Sequence, residues 1–300
     1  MQPIPWNDLQ DFLVVARTRQ LARAAAQLGV DATTVGRRLR RLEARLGRTL
    51  FEQTRDGQVL TEAGEALLAQ VEDMQRAADR IAEPEAVGGG LSGLLRVSVS
   101  EGFGSWLVAA HLGDFAQRHP ALTIDLVANS GFLQPSRREA DVAVMLARPG
   151  RGPVIASKLG DYTLHVYAAR DRVARLGSPD RTTLRRVHPL IGYIPDLLYS
   201  SELNYLHEID PALSADIRSS SINAQARLIA SGAGVGVLPG FIGESLSDVI
   251  RVMPDVTITR AFWLVTHRDT RQLRRVVAFR TWLTELLAEN HRLLLPLCNT

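Results

Sequence analysis

Cysteine is nearly absent from this chain of 300 residues, and reactive motifs are missing. Cys298 is the only cysteine, so no intrachain disulfide and no thiol pair for metal binding or redox sensing can form. The seven histidines show no His-x-His, HExxH or Cys-His spacing, and neither a Gly-x-Ser-x-Gly elbow nor a Walker-type phosphate loop occurs. We therefore expect no metal site, no cofactor and no enzymatic activity.

Long apolar runs are also missing. No segment approaches the roughly 18 uninterrupted apolar residues of a membrane-spanning helix. The first 20 residues carry Asp8 and Asp11 among their apolar positions, which does not fit the core of a signal peptide. We expect neither export nor a membrane anchor, and a cytoplasmic location, which the single cysteine also fits. The content of 46% hydrophobic residues predicts sizeable cores and no extended disorder.

Lysine is almost absent as well. Lys158 is the only lysine, so 34 of the 35 basic residues are arginine, and arginine identity alone carries little information. The position of the arginines is more informative. Ten of them lie between Arg17 and Arg55 with only three acidic residues, which gives this segment a net charge of +7 against +3 for the whole chain. Such a concentration of positive charge is typical of a surface that contacts nucleic acid.

Residues 21–47 predict two short helices joined by a tight turn. In the first helix, apolar residues recur at helical spacing as far as Gly29, which can turn the chain sharply. Asp31 then stands where a carboxylate can cap the second helix, which keeps one apolar face. The residues of that face are Val35, Leu39, Leu42 and Leu46.

The opposite face of the second helix has the composition of a DNA recognition helix. Its small residues let the helix approach base edges, and its guanidinium groups can hold phosphates. The alternative is an ordinary helical hairpin with a solvated charged face, which the concentration of charge disfavours. The predicted DNA contacts on this helix are Ala32, Thr33, Thr34, Gly36, Arg37 and Arg38.

Two short strands are predicted next, at residues 49–53 and 58–61. Between them lies Arg55-Asp56-Gly57, which contains the Asp-Gly signal of a tight hairpin turn. A winged helix-turn-helix domain is therefore predicted over residues 1–61. We predict that Arg55 at the tip contacts a phosphate or the minor groove, with a merely solvated turn arginine as the alternative.

A long helix is predicted after Thr61, which is placed to cap it. Small and apolar residues then repeat at heptad spacing, at Leu60, Gly64, Leu67, Val71, Met74, Ala78 and Ile81. A seam of this kind needs a partner helix, so we predict a dimer through residues 62–84. The alternative is that the seam packs on its own winged domain.

Together these motifs resemble the LysR-type transcriptional regulators over nearly the whole chain. The resemblance is carried by Trp6-Asn7-Asp8-Leu9-Gln10-Asp11-Phe12-Leu13, the helix pair, Leu42-Glu43-Ala44-Arg45-Leu46-Gly47, Leu50-Phe51 and Leu60-Thr61-Glu62-Ala63-Gly64. The chain departs from the family where the recognition helix begins. It has Asp31-Ala32-Thr33-Thr34 instead of a Ser-Gln-Pro or similar triplet, and Gly36 where a serine is common, which affects the expected operator preference.

A second domain is predicted over residues 91–300, after a linker and dimerisation segment at 62–90 that ends in Pro84 and a glycine run. Strand-like and helical segments alternate there, which predicts an α/β fold with largely parallel strands. The predicted strands are 94–99, 123–128, 141–146, 162–168, 190–194, 235–238 and 261–266, and the predicted helices are 103–118, 222–231 and 272–289. The glycines at 232–236 follow a predicted helix and precede a strand, so we predict a helix-to-strand turn there instead of a dinucleotide-binding loop.

The LysR resemblance implies that the second domain is a two-lobed α/β effector-binding domain like the periplasmic solute-binding proteins. It places lobe I at 91–161 and 268–300 and lobe II at 162–267. Polar loops at strand ends and a helix start match family positions that line the cleft, although N-capping and turn formation are the alternative for each residue. The candidate effector-binding residues are Ser100, Glu101, Asn129, Ser130, Ser220 and Ser221. Glu101 favours an amine-bearing or neutral effector, unless Arg148 or a helix terminus offsets its charge.

The resulting hypothesis is a sequence-specific transcriptional regulator whose DNA binding is modulated by a small-molecule effector between the lobes. A ligand-independent repressor is the alternative, and a solute-binding protein explains only the second domain. The resemblance implies double-stranded DNA and further copies of the chain as partners, as a dimer and a tetramer, and leaves RNA polymerase open as another. No membrane partner is expected.

Overall fold

The computed structural model describes residues 4–54, 57–82, 90–129, 139–150, 152–181 and 183–296. The chain forms two compact units, Met1–Pro84 and Glu85–Thr300. No helix in the described ranges is long and apolar enough to cross a membrane.

The first unit contains four helices and a two-stranded hairpin within its described residues. These elements are α1 (Trp6–Thr18), α2 (Leu21–Leu28), α3 (Ala32–Leu46), β1 (Phe51–Thr54), β2 (Gly57–Leu60) and α4 (Glu62–Ala82). The predicted turn is confirmed, because Gly29 ends α2 with φ +67° and Asp31 caps α3. The rings of Phe12 and Phe51 lie 5.3 Å apart and join α1 to the hairpin within one buried core.

The hairpin is fixed to the end of α1. Its strands pair antiparallel, from Phe51 opposite Leu60 to Thr54 opposite Gly57. The amide of Gln58 donates to the Arg19 carbonyl oxygen at 2.8 Å. A Cβ atom on Gly57, whose φ is +124°, would lie 2.2 Å from the same oxygen. Glycine at this position therefore lets the wing lie directly on the α1 backbone.

Helix α4 uses the first part of its heptad seam inside the unit. Thr61 Oγ1 accepts a hydrogen bond from Gly64 N at 3.0 Å, as expected for a cap. Val71 is fully buried in the core of the first unit, and Leu67 packs against that core. Met74, by contrast, is 46% exposed. The alternative interpretation thus holds for the seam as far as Val71, and the exposed apolar surface begins after it.

The second unit is built on one mixed sheet. Its described strands are β3 (Ser92–Ser100), β4 (Ala121–Asn129), β5 (Val142–Met145), β6 (Val154–Ala169), β7 (Leu190–Gly192), β8 (Ile217–Arg218), β9 (Val235–Pro239), β10 (Val249–Val252) and β11 (Ile258–His267). Its described helices are a π-helical segment (Phe103–Val108), α5 (Ala109–Arg118), α6 (Arg170–Leu176), α7 (Leu184–Val187), α8 (Tyr205–Ile209), α9 (Ile222–Ala230), α10 (Gly240–Gly243), α11 (Arg274–Glu289) and α12 (His291–Leu294). Two 3-10 turns lie at Pro195–Leu197 and Ser201–Leu203.

The prediction of largely parallel strands is wrong. β3 runs parallel to β4 and β5, and β7 runs parallel to β8 and β9. The two long strands β6 and β11 run antiparallel to each other and to their other partners. An apolar run of residues does not reveal strand direction, which depends on the path of the connections.

The two long strands connect the two halves of the sheet. β6 pairs with β11 along most of its length, and with β9 and β10 only near its C-terminal end. Residues 263–266 of β11 pair with β5. The predicted lobe limits at 161 and 267 therefore fall inside β6 and at the end of β11. The register of β11 against β6 shifts between Phe262 and Trp263.

Gly232 and Gly234 lie between α9 and β9, and Gly236 lies within β9, so the predicted helix-to-strand turn is confirmed. A Cβ on Gly234 would lie 2.3 Å from the Pro189 carbonyl oxygen, which explains the glycine by backbone packing. At the centre of the sheet, Tyr162 stacks on Phe262 with ring centroids 4.2 Å apart. Phe103 lies on the same Phe262 ring at 4.3 Å. These three rings line a small cavity in the second unit.

Candidate functional site

The N-terminus of α3 is organised by the carboxylate of Asp31. It accepts hydrogen bonds from Thr34 N at 2.7 Å, from Thr34 Oγ1 at 2.9 Å and from Thr33 Oγ1. The Thr33 hydroxyl and then the Thr34 groups lower the pKa of Asp31 to about 2. Both hydroxyl protons are thus directed to Asp31, so each threonine oxygen is left as a hydrogen-bond acceptor.

The exposed side of α3 also carries small residues. Ala32 is half-buried, and a Cβ built on Gly36 would meet only Leu21 Cδ1, at 3.8 Å. The glycine is therefore not required by packing within the unit. A small residue at this position leaves the helix surface free for close approach by another molecule.

The arginines of α3 fall into two groups. Arg37 is exposed, and no ion pair or hydrogen bond of its side chain is found among the described residues. Arg38 instead donates from Nη1 to Asp11 Oδ2 at 3.1 Å. Arg41 and Arg45 both contact the carboxylate of Asp8, and this contact raises the pKa of Arg41.

The two acids on α1 were missed as functional residues by the sequence reasoning. Asp8 and Asp11 are buried, with 1% and 3% exposure, and they lie one helical turn apart. The pattern that could have indicated them is the matching spacing of Arg38, Arg41 and Arg45 on α3. These ion pairs fix α3 against α1 and set the direction of three guanidinium groups.

Other arginines widen the basic surface. Arg19, Arg23 and Arg48 are exposed, and Arg40 is exposed with its Nε directed to the Gly36 carbonyl oxygen at 3.2 Å. Arg55, predicted at the wing tip, lies outside the described residues.

In the second unit, side-chain hydrogen bonds join two of the three predicted loops. Glu101 directly follows β3, and its carboxylate accepts from Ser221 Oγ at 2.7 Å and from Ile222 N at 3.0 Å. Ser221 is also the N-cap of α9, because its Oγ accepts from Ala224 N at 3.1 Å. The predicted polar cluster and the alternative role in capping are therefore both present in the same residue.

A second contact between the same segments was not predicted. Trp106 Nε1 donates to Asn223 Oδ1 at 2.6 Å, and Asn223 Nδ2 donates to Glu101 Oε1 at 3.1 Å and to Ser105 Oγ at 3.2 Å. Ser105 and Trp106 both lie on the π-helical segment and both contact Asn223. No sequence spacing marks Asn223, because its partners lie more than 100 positions away.

The space beside this cluster is small. Ser100 is 5% exposed and lines a cavity of about 20 Å³ together with aromatic rings from both halves of the sheet. This volume holds about one water molecule. The cavity-lining rings belong to Phe103, Tyr162, Tyr193, Tyr199, Tyr205, Phe241 and Phe262.

The remaining predicted residues are placed as follows. Asn129 ends β4 opposite Ser100, and Ser220 is half-buried just before the N-cap of α9. Ser130 lies outside the described residues, and the side chain of Asn129 is not described. Arg148 lies over the ring of Trp263, 5.5 Å from its centroid. Of the two positive groups considered for Glu101, the N-terminus of α9 is the one that contacts its carboxylate.

Comparison with known proteins identifies both units. The family model described as bacterial regulatory helix-turn-helix protein, lysR family, matches residues 6–65, and that of the LysR substrate binding domain matches residues 88–288. The chain belongs to the LysR family of transcriptional regulators. The predicted fold class, a helix-turn-helix domain followed by a two-lobed α/β domain, is thereby confirmed.

Individual relatives of this LysR-family regulator agree with that assignment. The Mau operon transcriptional activator of Paracoccus denitrificans is 28% identical over 289 residues, covering 95% of this chain and 97% of the activator. The structure of CrgA, a LysR-type transcriptional regulator from Neisseria meningitidis, is 25% identical with a TM-score of 0.56, covering 96% of this chain and 99% of CrgA. Full-length CbnR, solved with its target DNA, shares the fold at 18% identity and a TM-score of 0.66, covering 94% of this chain and 99% of CbnR. This chain is thus a DNA-binding regulator of transcription.

A larger cavity of this LysR-family regulator lies within the predicted lobe II. Its volume is about 120 Å³, and its lining includes Gln225 and the exposed Arg218. Tyr193, Leu203 and Tyr205 line both this cavity and the small one between the lobes. The two spaces are therefore separated by a shared wall of side chains.

Proposed function

We propose that this regulator binds double-stranded DNA through the exposed face of α3 and the wing, and that a small molecule held between its lobes modulates the binding. The observation that carries the DNA interface is the capped N-terminus of α3, where small side chains and the exposed Arg37 project away from the core. The residues proposed to contact DNA are Ala32, Thr33, Thr34, Gly36, Arg37 and Arg38, with Arg55 from the wing.

Within this interface the residues have different roles. The threonine methyl groups and the surface at Gly36 suit base edges in the major groove. Arg37 suits a phosphate as a free guanidinium group. Arg38 keeps further N–H donors for a phosphate after donating to Asp11, so it acts both as a contact and as a connection to α1.

A second copy of the chain is the proposed partner of α4. Met74 continues the apolar seam and is 46% exposed, so the surface beyond Val71 can be covered by the same helix of another copy. A dimer through residues 62–84 would present two recognition helices to a pseudo-palindromic operator. The family resemblance alone supports a tetramer, a contact with RNA polymerase, and a location in the cytoplasm, where bacterial DNA lies.

The proposed effector site lies between the lobes, at Ser100, Glu101, Asn129, Ser130, Ser220 and Ser221. What supports it is the meeting of the β3 end with the α9 N-cap. A ligand can change DNA binding only through its different affinity for two arrangements of the protein. The long strands β6 and β11 run through both lobes and connect them. A change in the arrangement of the lobes on ligand binding would be transmitted through these strands.

A ligand-independent repressor is the second candidate, and one observation favours it. The cavity at the proposed effector site holds about one water molecule, and Glu101 already accepts the amide hydrogen bond of Ile222, a residue that lines it. A panel of small metabolites screened by thermal stabilisation of the full chain separates the two candidates, because a ligand that binds the folded state raises its melting temperature.

Footprinting on the DNA beside the gene of this chain tests the proposed function. We expect protection of two half-sites, with strong preference over a scrambled duplex of equal length. Equal, salt-sensitive binding to both duplexes would contradict specific operator recognition by this surface. Sedimentation of a Met74→Glu variant checks the dimer, which should dissociate when a charge enters its seam.

A further inference from the structure

Glu101 places a carboxylate on the N-terminus of α9. Oε1 accepts hydrogen bonds from Ser221 Oγ and Asn223 Nδ2, and Oε2 accepts from the amide of Ile222. The first turn of a helix presents free N–H groups and the positive end of its dipole, which favour an anion. The N-terminus of α9 is therefore suited to binding a free anion. The side-chain carboxylate of Glu101 occupies this position instead.

The donors around this carboxylate are fixed in direction. The indole N–H of Trp106 can only donate, so it holds Oδ1 of Asn223 and turns Nδ2 toward Glu101. Ser221 Oγ accepts from Ala224 N, which directs its hydroxyl proton to Glu101. Ser221 Oγ, Ile222 N and Asn223 Nδ2 are thus held in directions that suit a carboxylate.

The carboxylate also lies at the edge of the cavity between the lobes. Ser100 and Gly102, the sequence neighbours of Glu101, and Ile222, whose amide donates to it, all line that cavity. Burial and then the charge of Glu101 raise the pKa of Tyr199, another lining residue. Among the described residues, none that lines the cavity is basic. Within that described lining, an anionic ligand would meet the charge of Glu101 with no cation to balance it.

We propose that Glu101 determines the ligand selectivity of the cleft by occupying its anion position with the chain's own carboxylate. With Glu101 seated, the cleft rejects small carboxylates, and without it the same donors bind them. The role in effector selection presupposes the proposed function. The anion position itself can be tested without DNA and without an effector.

Chemical rescue of a Glu101→Ala variant in the full chain tests the proposal, with formate and acetate as probes. Tryptophan fluorescence reports mainly on unfolding of the second unit, which holds Trp106, Trp263 and Trp282, whereas Trp6 lies in the first unit. We expect Glu101→Ala to melt below the parent. About 100 mM formate should raise its melting temperature by about 3 °C, as expected for a site with a Kd near 10 mM, and the parent should stay within about 1 °C.

Controls separate this effect from general salt stabilisation. Sodium chloride at equal ionic strength and neutral acetamide should not rescue Glu101→Ala. Glu285→Ala removes an exposed acid from α11 of the same unit and should respond to formate as the parent does. Equal stabilisation of parent, Glu285→Ala and Glu101→Ala by formate would overturn the proposal, as would rescue by acetamide.

A Glu101→Gln variant keeps the test decisive if the alanine variant does not fold. Its amide fills the same space but turns one acceptor into a donor facing other donors. We expect a lower melting temperature than the parent and no rescue by formate, since the position stays filled. A parent-like melting temperature would refute a role for the anion. If footprinting showed no specific operator, the expected melting temperatures would not change. Failure of the proposed function can therefore be distinguished from failure of the proposed role of Glu101.

Discussion

Replacing Arg38 by alanine should destabilise the first unit, whereas replacing its neighbour Arg37 should not. Arg38 pairs with Asp11, and the side chains are 34% and 5% exposed. Removing one partner of a fully buried ion pair costs about 3–5 kcal/mol, because the other charge stays buried and uncompensated. Water reaches this pair through the exposed third of Arg38, so we expect a smaller loss of about 1–3 kcal/mol. For Arg37→Ala we expect less than about 0.5 kcal/mol.

Hydrogen exchange of the α1 and α3 amides in the full chain measures this difference, because exchange reports the free energy of local opening. DNA binding gives a second, independent result. Arg37→Ala should reduce the salt dependence of binding by about 0.9 in the slope of log K against log salt for one lost phosphate contact. An Asp11→Asn change in the Arg38→Ala background should recover part of the lost stability, since it removes the unpaired charge.

Three results would refute this reasoning. Arg38→Ala could protect its amides as well as the parent does, which would show that the ion pair contributes nothing. The double variant with Asp11→Asn could be no more stable than Arg38→Ala alone. Arg37→Ala could lower amide protection as much as Arg38→Ala, which would mean that the exposed arginine has a structural partner.

Gly57→Ala should destabilise the wing by at least about 1 kcal/mol, because its Cβ would collide with the Arg19 carbonyl oxygen at a positive φ; unchanged hairpin exchange would contradict this. Gly36→Ala should stabilise α3 by up to about 1 kcal/mol, since its Cβ has space, yet weaken operator binding if α3 enters the groove. A more stable variant with parental DNA affinity would place Gly36 outside the interface. Burial and then the charge of Arg251 lower the pKa of His165 to about 4, below its unfolded value of about 6.5. The neutral form thus contributes stability above pH 6.5 that is lost toward pH 4, with a slope of at most about 1.4 kcal/mol per pH unit. Denaturant unfolding of the parent and His165→Gln across this range checks it, and identical slopes would be contrary to expectation.

The helix-turn-helix could be predicted from sequence because its determinants are local. The glycine at 29 and the cap at Asp31 act within a few residues of their own positions, and the apolar spacing of α3 shows which face is buried. What sequence could not show is the partner of each arginine. Arg37 and Arg38 look alike in the sequence, and only the placement of α1 against α3 distinguishes them.

In the second unit too, sequence patterns predicted local elements but not the contacts between distant residues. Each predicted strand coincides with an observed one, because apolar runs mark buried strands whatever their direction. The N-terminal part of β6, residues 154–161, is more polar and was missed, as were β8 and β10. The bond between Glu101 and Ser221 spans 120 positions, so it follows from topology and not from any local pattern.

The contact of Gly57 with the end of α1 has a consequence for how operators are read. The wing cannot swing independently of the helices, because one backbone hydrogen bond and a close approach without side-chain atoms fasten it to Arg19. If α3 contacts bases and the wing contacts the DNA backbone, as proposed, the distance between these contacts is therefore set within one copy of the chain. If operators with different half-site separations are bound, the spacing between the two recognition helices has to adjust. That adjustment has to come from the DNA or from the way two copies are joined, and not from within one winged helix-turn-helix domain.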